Sequence, residues 1–313
     1  MAMKIFVAGH RGLVGSALMR SLLKKSPNAE VVCANRSVLD LRVQSEVETY
    51  FSRHKPDVVY LAAAKVGGIV ANSTQPGDFI LDNLKIQTNV IESAMKHGTK
   101  RFVFFGSSCI YPRMAKQPIS ESELLTGQLE NTNKAYAVAK ISGYTLCESL
   151  KTQYGFNYVA LMPTNLYGPN DNYSPEASHV IPGLIRKLHE AKLRGDATYS
   201  CWGTGSALRE FLYSDDLADA AITLADMYEV SGLVNVGYGS DISIKDLVHK
   251  VAKVVGFKGE IQWDSTKPDG TPRKILDCAR LRNLTPWTPK VSLDDGLPKA
   301  YADFSCRYAP SSI

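Results

Sequence analysis

Through the first half of the chain, short runs of β-branched and aromatic residues alternate with longer stretches whose apolar positions recur every three or four residues. Runs of the first kind read as buried strands, and stretches of the second kind as amphipathic helices. Lys4 to Ala8 predicts a strand and Ser16 to Lys25 the helix after it. Glu30 to Ala34, Asp57 to Leu61 and Arg101 to Phe105 predict further strands, with a helix over Pro76 to Lys96. Another helix, Asn131 to Tyr154, leads into a strand over Phe156 to Met162. Four to six strands alternating with helices predict an α/β fold, a Rossmann-type doubly wound parallel sheet.

Beyond Pro163 the pattern changes. Gly, Pro and Asn become frequent and the alternation loses its regularity, although His179 to Lys192, Asp216 to Tyr228 and Ser243 to Val255 still predict helices. This texture predicts two domains: residues 1–163 for a dinucleotide, and residues 164–313 mainly for substrate, in a smaller C-terminal α/β unit. Some segments of the second part are expected to return to the first.

The first strand ends in a glycine-rich turn, Gly9-His10-Arg11-Gly12-Leu13-Val14-Gly15, ahead of its helix. Glycines let the backbone approach a pyrophosphate, whose charge then meets the free N–H groups at the helix start. The second strand is followed by Arg36 where an NAD-binding chain usually carries a carboxylate. An arginine there suits a ribose 2′-phosphate, so NADP(H) is the expected cofactor. Asp40 and Leu41 fall beside the expected adenine, and Ala62 to Ala64 are small enough for a dinucleotide to cross the strand end. Lys65 to Ile69 is expected to be a flexible loop.

Composition narrows the classes. At 313 residues, 44% hydrophobic and 21% charged with a net charge of +5, the chain fits a globular enzyme and offers no basic block for nucleic acid. The six cysteines are widely spaced without a Cys-x-x-Cys pair, which argues against disulfides and a zinc site, so no metal is expected. No apolar run is long enough to cross a bilayer, and no secretory signal precedes the first strand; a cytoplasmic location follows as an expectation.

The chemistry centres on Tyr136 and Lys140, four residues apart on one face of a predicted helix. An ammonium near a phenol favours the phenolate, so the lysine is expected to lower the tyrosine pKa. The spacing alone is common; its neighbours give it weight. Ser107 follows the fourth strand, at the sheet edge where ligands collect.

With Gly9-x-x-Gly12-x-x-Gly15, Ser107 and Tyr136-x-x-x-Lys140 in order, the chain resembles the extended short-chain dehydrogenase/reductases that act on nucleotide sugars. Residues 106–112, 163–168 and 267–273 sharpen the resemblance to the GDP-L-fucose synthase family, from Met3 to about Ser305. The resemblance implies two activities in one site: inversion at C3 and C5 of GDP-4-keto-6-deoxy-D-mannose, then NADPH-dependent reduction at C4. Tyr136 would donate a proton, Ser107 would hold the C4 oxygen, and Lys140 would bind the nicotinamide ribose. Cys109 would be the base of the epimerisation and His179 the acid, two residue types that can exchange protons near neutral pH. Sugar 4,6-dehydratases carry Asp-Glu where this chain has Ser108 and Cys109, which disfavours dehydration. Ala63, Pro163, Asn165, Leu166 and His179 are implied at the cofactor. Arg209 is implied as the diphosphate clamp, with Lys187, Trp202 and Asp269 as further substrate contacts. A homodimer through a four-helix interface is also implied, using the 76–96 and 131–154 helices. Residues 309–313 match no part of the family.

Overall fold

Two hydrophobic cores share the chain, and the larger is built on a six-stranded parallel sheet. The computed structural model describes residues 2–267 and 269–308; Pro268 of the 267–273 motif and the 309–313 stretch lie outside the described residues. The first half runs β1 (Lys4–Ala8), α1 (Leu13–Lys25), β2 (Glu30–Val32), α2 (Gln44–His54), β3 (Val58–Leu61) and α3 (Ile69–Thr74). It continues with α4 (Pro76–Lys96), β4 (Arg101–Phe105), α5 (Lys134–Tyr154) and β5 (Tyr158–Pro163). Every residue of β3, β4 and β5 is buried, as expected of parallel strands covered on both faces.

The second half runs β6 (Asn165–Tyr167), α6 (Val180–Arg194), β7 (Thr198–Trp202), β8 (Leu208–Tyr213), α7 (Ser214–Asp226) and β9 (Gly232–Val236). Then come β10 (Asp241–Ser243), α8 (Ile244–Val255), β11 (Glu260–Asp264), β12 (Arg273–Lys274), α9 (Ala279–Leu284) and α10 (Leu293–Tyr308). The strand order of the large sheet is β2-β1-β3-β4-β5-β9. β9 joins it beside β5, and α7 contributes Leu217, Ala218, Ala221 and Leu224 to the same core. Leu276 and Leu281 return to it as well. The second core gathers Tyr167, Tyr173 and Phe211 with apolar residues of α6, α8 and α10. The chain thus passes between the two cores more than once.

Sheet order reverses between β1 and β3, where ligands of open α/β sheets collect. Gly9 sits there with φ +86°, and a Cβ on it would lie 2.8 Å from the Ala63 backbone nitrogen. A Cβ on Gly15 would collide with the Gly9 carbonyl, so α1 packs onto the turn only because both are glycine. Gly9→Ala is therefore expected to cost on the order of 1–3 kcal/mol. It should also reduce the rise in melting temperature that NADPH gives; a full rise in a thermal melt would contradict this.

Elements outside the sequence expectation are those with weak local patterns. Gln44–His54 forms α2 around Val47 and Phe51, too few apolar positions to stand out. Residues 65–68 are irregular as expected, but α3 begins at Ile69. α10 was hidden by Gly296 and an internal Pro298. Gly296 is needed because a Cβ there would collide with the Tyr167 hydroxyl.

Candidate active site

A cleft of about 1630 Å³ runs along the carboxyl edge of the large sheet to the second core. Single-ligand pockets span roughly 300–1,000 Å³, so this one has room for a dinucleotide and a second nucleotide together. Gly9, Gly12, Leu13, Val14, Arg36, Asp40, Leu41 and Ala63 line one end. His10, Arg11 and Gly15 do not line it, and Gly15 serves the turn through packing.

Arg36 stands with its side chain 71% exposed, its Nε 3.6 Å from Asp40. Asp40 is already engaged by Arg42, whose Nη2 donates to it at 2.6 Å and whose guanidinium holds the carboxyl well below the usual carboxylate range. Arg42 was not singled out from sequence. By taking the Asp40 charge, it leaves Arg36 available to a phosphate.

The Ser107, Tyr136 and Lys140 trio is assembled by two elements. β4 delivers Ser107, whose hydroxyl accepts a hydrogen bond from the Cys109 backbone N–H at 3.2 Å and caps a short turn at Ser108–Ile110. α5 presents Tyr136 and Lys140 one turn apart. Lys140 is buried, its Nζ donates to the Phe105 carbonyl at 2.8 Å, and burial lowers its pKa to about 8. Its Nζ lies 5.9 Å from the centre of the Tyr136 ring.

The expected lowering of the Tyr136 pKa is not found in the unliganded site. Burial, aided by the charge of Cys109, pushes the phenol well above its ordinary value, and a hydrogen bond with Ser107 only partly offsets this. Desolvation wins because the ammonium is turned toward a backbone carbonyl. The phenol is thereby held as a neutral acid, the form a proton donor needs.

Cys109 is half-buried in the same wall. Its sulfur accepts from Asn133 Nδ2 at 3.2 Å and from Lys274 Nζ at 3.8 Å. Neither donor stood out in the sequence, because they are 24 and 165 residues away in the chain. His179 caps the start of α6 by its backbone and faces the cleft, where desolvation lowers its imidazole pKa. A diphosphate entering the cleft would act in the opposite direction.

Pro163, Asn165 and Leu166 line the cleft where β5 passes into β6. Arg209 on β8 is partly buried, which lowers its pKa. Its Nη1 donates to the Leu208 carbonyl at 2.8 Å, and among the described residues it contacts no carboxylate. A half-desolvated guanidinium without an anion is a ready seat for a diphosphate. Trp202, 71% exposed, stands at the rim with Lys267 Nζ 6.0 Å from its ring centre.

Of the two other expected substrate contacts, Asp269 lines the cleft and Lys187 does not. Asp269 accepts from the Thr204 N–H at 2.7 Å and the Thr204 hydroxyl at 2.8 Å, so it ties down the loop beside Trp202 while lining the rim. Lys187 is exposed on α6, does not line the cleft, and lies near Cys201.

A doubly wound sheet with a glycine turn at its switch point and a Ser–Tyr–Lys trio at its edge defines a dinucleotide-dependent oxidoreductase. The chain belongs to the NAD dependent epimerase/dehydratase family, whose profile matches residues 5–237, and within it to the GDP-L-fucose synthases. It is 56% identical over 298 residues to GDP-L-fucose synthase 1 of Arabidopsis thaliana, covering 95% of this chain and 92% of that one. Among solved structures, a GDP-6-OMe-4-keto-L-xylo-heptose reductase from C. jejuni superposes with a TM-score of 0.90 at 36% identity, over 98% of both chains. A GDP-L-fucose synthetase from Naegleria fowleri bound to NADP gives 0.89 at 27% identity, over 99% of this chain and 96% of that one. Among the described residues no helix is long and apolar enough to cross a membrane.

Proposed function

We propose that the protein converts GDP-4-keto-6-deoxy-D-mannose to GDP-L-fucose, by epimerisation at C3 and C5 followed by NADPH-dependent reduction at C4. The observation that carries this reading is the position of Cys109 in the same cleft wall as Ser107 and Tyr136, so that a base for the α-protons and an acid for the ketone oxygen serve one sugar.

The dinucleotide end fits NADPH: the Gly9–Ala63 approach leaves no room for a Cβ, and Arg36 lines the same end of the cleft. Bound there, NADPH supplies the hydride for C4. The remaining chemistry belongs to side chains. The Cys109 thiolate takes the proton from C3 or C5, and the C–H electrons move onto the C4 oxygen, which Ser107 and Tyr136 hold by their hydroxyls. His179, at the start of α6, returns a proton to the opposite face. In the reductive step the Tyr136 phenol gives its proton to the C4 oxygen. Arg209 binds the diphosphate, and Trp202 covers the nucleotide. In this reading the large-sheet core holds the cofactor and the second core the nucleotide sugar. We also place the protein in the cytoplasm, where NADPH and nucleotide sugars are used, as a homodimer through α4 and α5, which pack against each other on one flank.

Incubation with the ketone in deuterated buffer, with and without NADPH, tests the reading by NMR. Deuterium at C3 and C5 in both tubes, and GDP-L-fucose only with NADPH, is the expected result; reduction without exchange would leave a simple ketoreductase. The Lys140 pKa of about 8 sets a pH dependence. Since burial lowers it from the lysine norm of 10.5, the ammonium is present below about 8 and lost as pH rises through it. NADPH affinity is expected to weaken in that window, and a flat titration through it would remove Lys140 from the ribose.

A further inference from the structure

We propose that Lys274, with Asn133, is a positioning residue that holds the Cys109 sulfur as an anion. The proposal rests on Cys109 as the base of epimerisation and adds the group that readies it.

Three observations converge on Lys274. Its Nζ donates to Cys109 Sγ at 3.8 Å, and among the described residues it forms no ion pair with a carboxylate. Its backbone is fixed: β12 pairs in parallel with β8, Lys274 opposite Arg209, and the next residues are laced into the wall that carries Cys109. The Ile275 N–H donates to Gln117 Oε1 at 2.9 Å, and the Ile119 N–H donates to the Ile275 carbonyl at 2.9 Å. Beyond them the Leu276 N–H donates at 3.0 Å to Glu210, a carboxylate with no exposure at all. A flexible lysine stem is thus anchored one residue from a rigid network and ends at a sulfur.

The third observation is Asn133. Its Nδ2 donates to the same sulfur at 3.2 Å while its Oδ1 is buried without a partner. An amide that leaves its oxygen unsatisfied to aim its nitrogen at sulfur is worthwhile when that sulfur carries charge, because a charged acceptor roughly doubles the hydrogen bond.

The groups facing the sulfur are few. From α5 and the turn before it come Tyr136 and Asn133, and from β12 Lys274. The Arg113–Glu130 pair, 3.4 Å apart, lies in the same lining and is internally balanced. Lys274 is therefore the cation in contact with the sulfur. With Tyr136 neutral, charge on the sulfur meets a positive neighbour and no negative one.

The test compares wild type, Lys274→Met and Lys274→Arg by two readouts. The first is the pH midpoint of Cys109 alkylation by iodoacetamide, read on the Cys109 peptide by mass spectrometry so that exposed Cys33 and Cys306 do not interfere. The second is deuterium exchange at C3 and C5 without NADPH, followed against pH. In Lys274→Met the alkylation midpoint should rise by about one unit or more, and exchange at neutral pH should fall about tenfold and recover as pH rises. Lys274→Arg, keeping the charge, should stay near wild type on both. An unmoved midpoint in Lys274→Met, including one accompanied only by a higher substrate KM, overturns the proposal, as does Lys274→Arg behaving like Lys274→Met. The alkylation readout does not depend on the role of Cys109. Normal exchange by Cys109→Ser would therefore sink the base assignment separately. An NADPH-binding titration of each variant excludes misfolding as the cause.

Discussion

Replacing Tyr136 with phenylalanine is expected to lower the rate of C4 reduction roughly 10³-fold, the scale of a positioned general acid. Exchange at C3 and C5 should continue, slowed but measurable. The reason is geometric. The ring keeps its place against Phe79, at 6.5 Å between centroids, so packing survives while the proton donor is lost. Ser107 can still hydrogen-bond the C4 oxygen as charge builds there during exchange, but it lacks the acidity to complete reduction. Deuterium incorporation at C3 and C5 by NMR and NADPH consumption by nicotinamide absorbance read the two activities apart. Loss of both together, in a variant that binds NADPH normally, would show that Tyr136 also serves the epimerisation.

Cys109→Ser is expected to do the reverse. Exchange should fall on the order of 10³-fold, because a serine hydroxyl is a far weaker base than a thiolate. Hydride transfer to the unepimerised ketone should persist, giving a C4-reduced sugar of unchanged C3 and C5 configuration. Stability should change little: Cys109 is half-buried, serine is close in size, and Asn133 and Lys274 can donate to its oxygen. Normal solvent exchange in this variant would move the base to another group.

The strands and the Tyr136 helix were legible because each has a dense local signature. β3 to β5 are dense apolar runs interrupted only by Arg101 at the start of β4, and α4 begins with a proline at its first position, which suits a helix start. The glycine turn was equally plain, since Gly9 and Gly15 answer a steric demand that few other residues can meet. α2 and α10 were illegible for the opposite reason: their helical form rests on contacts with distant parts of the chain. The return of β9 to the large sheet depends on pairing with β5, more than 70 residues away in sequence, which no local pattern records.

The site divides in the same way. From the sequence alone came the residue types at their stations: the glycine turn, Arg36, Ser107, Cys109, Tyr136, Lys140 and Arg209, all of which the structure gathers on one cleft except the turn residues that act through packing. Their state was decided only by tertiary structure. Burial raised the Tyr136 pKa where spacing implied lowering, because desolvation and the orientation of Lys140 are properties of the packed site. Lys187 was carried away from the cleft and Asp269 was committed to Thr204, since a side chain's partners depend on what folds against it. Lys274 reached Cys109 across 165 residues through strand pairing. Short-range pattern fixes which groups are present; electrostatics and contact are set by neighbours that only the fold brings together.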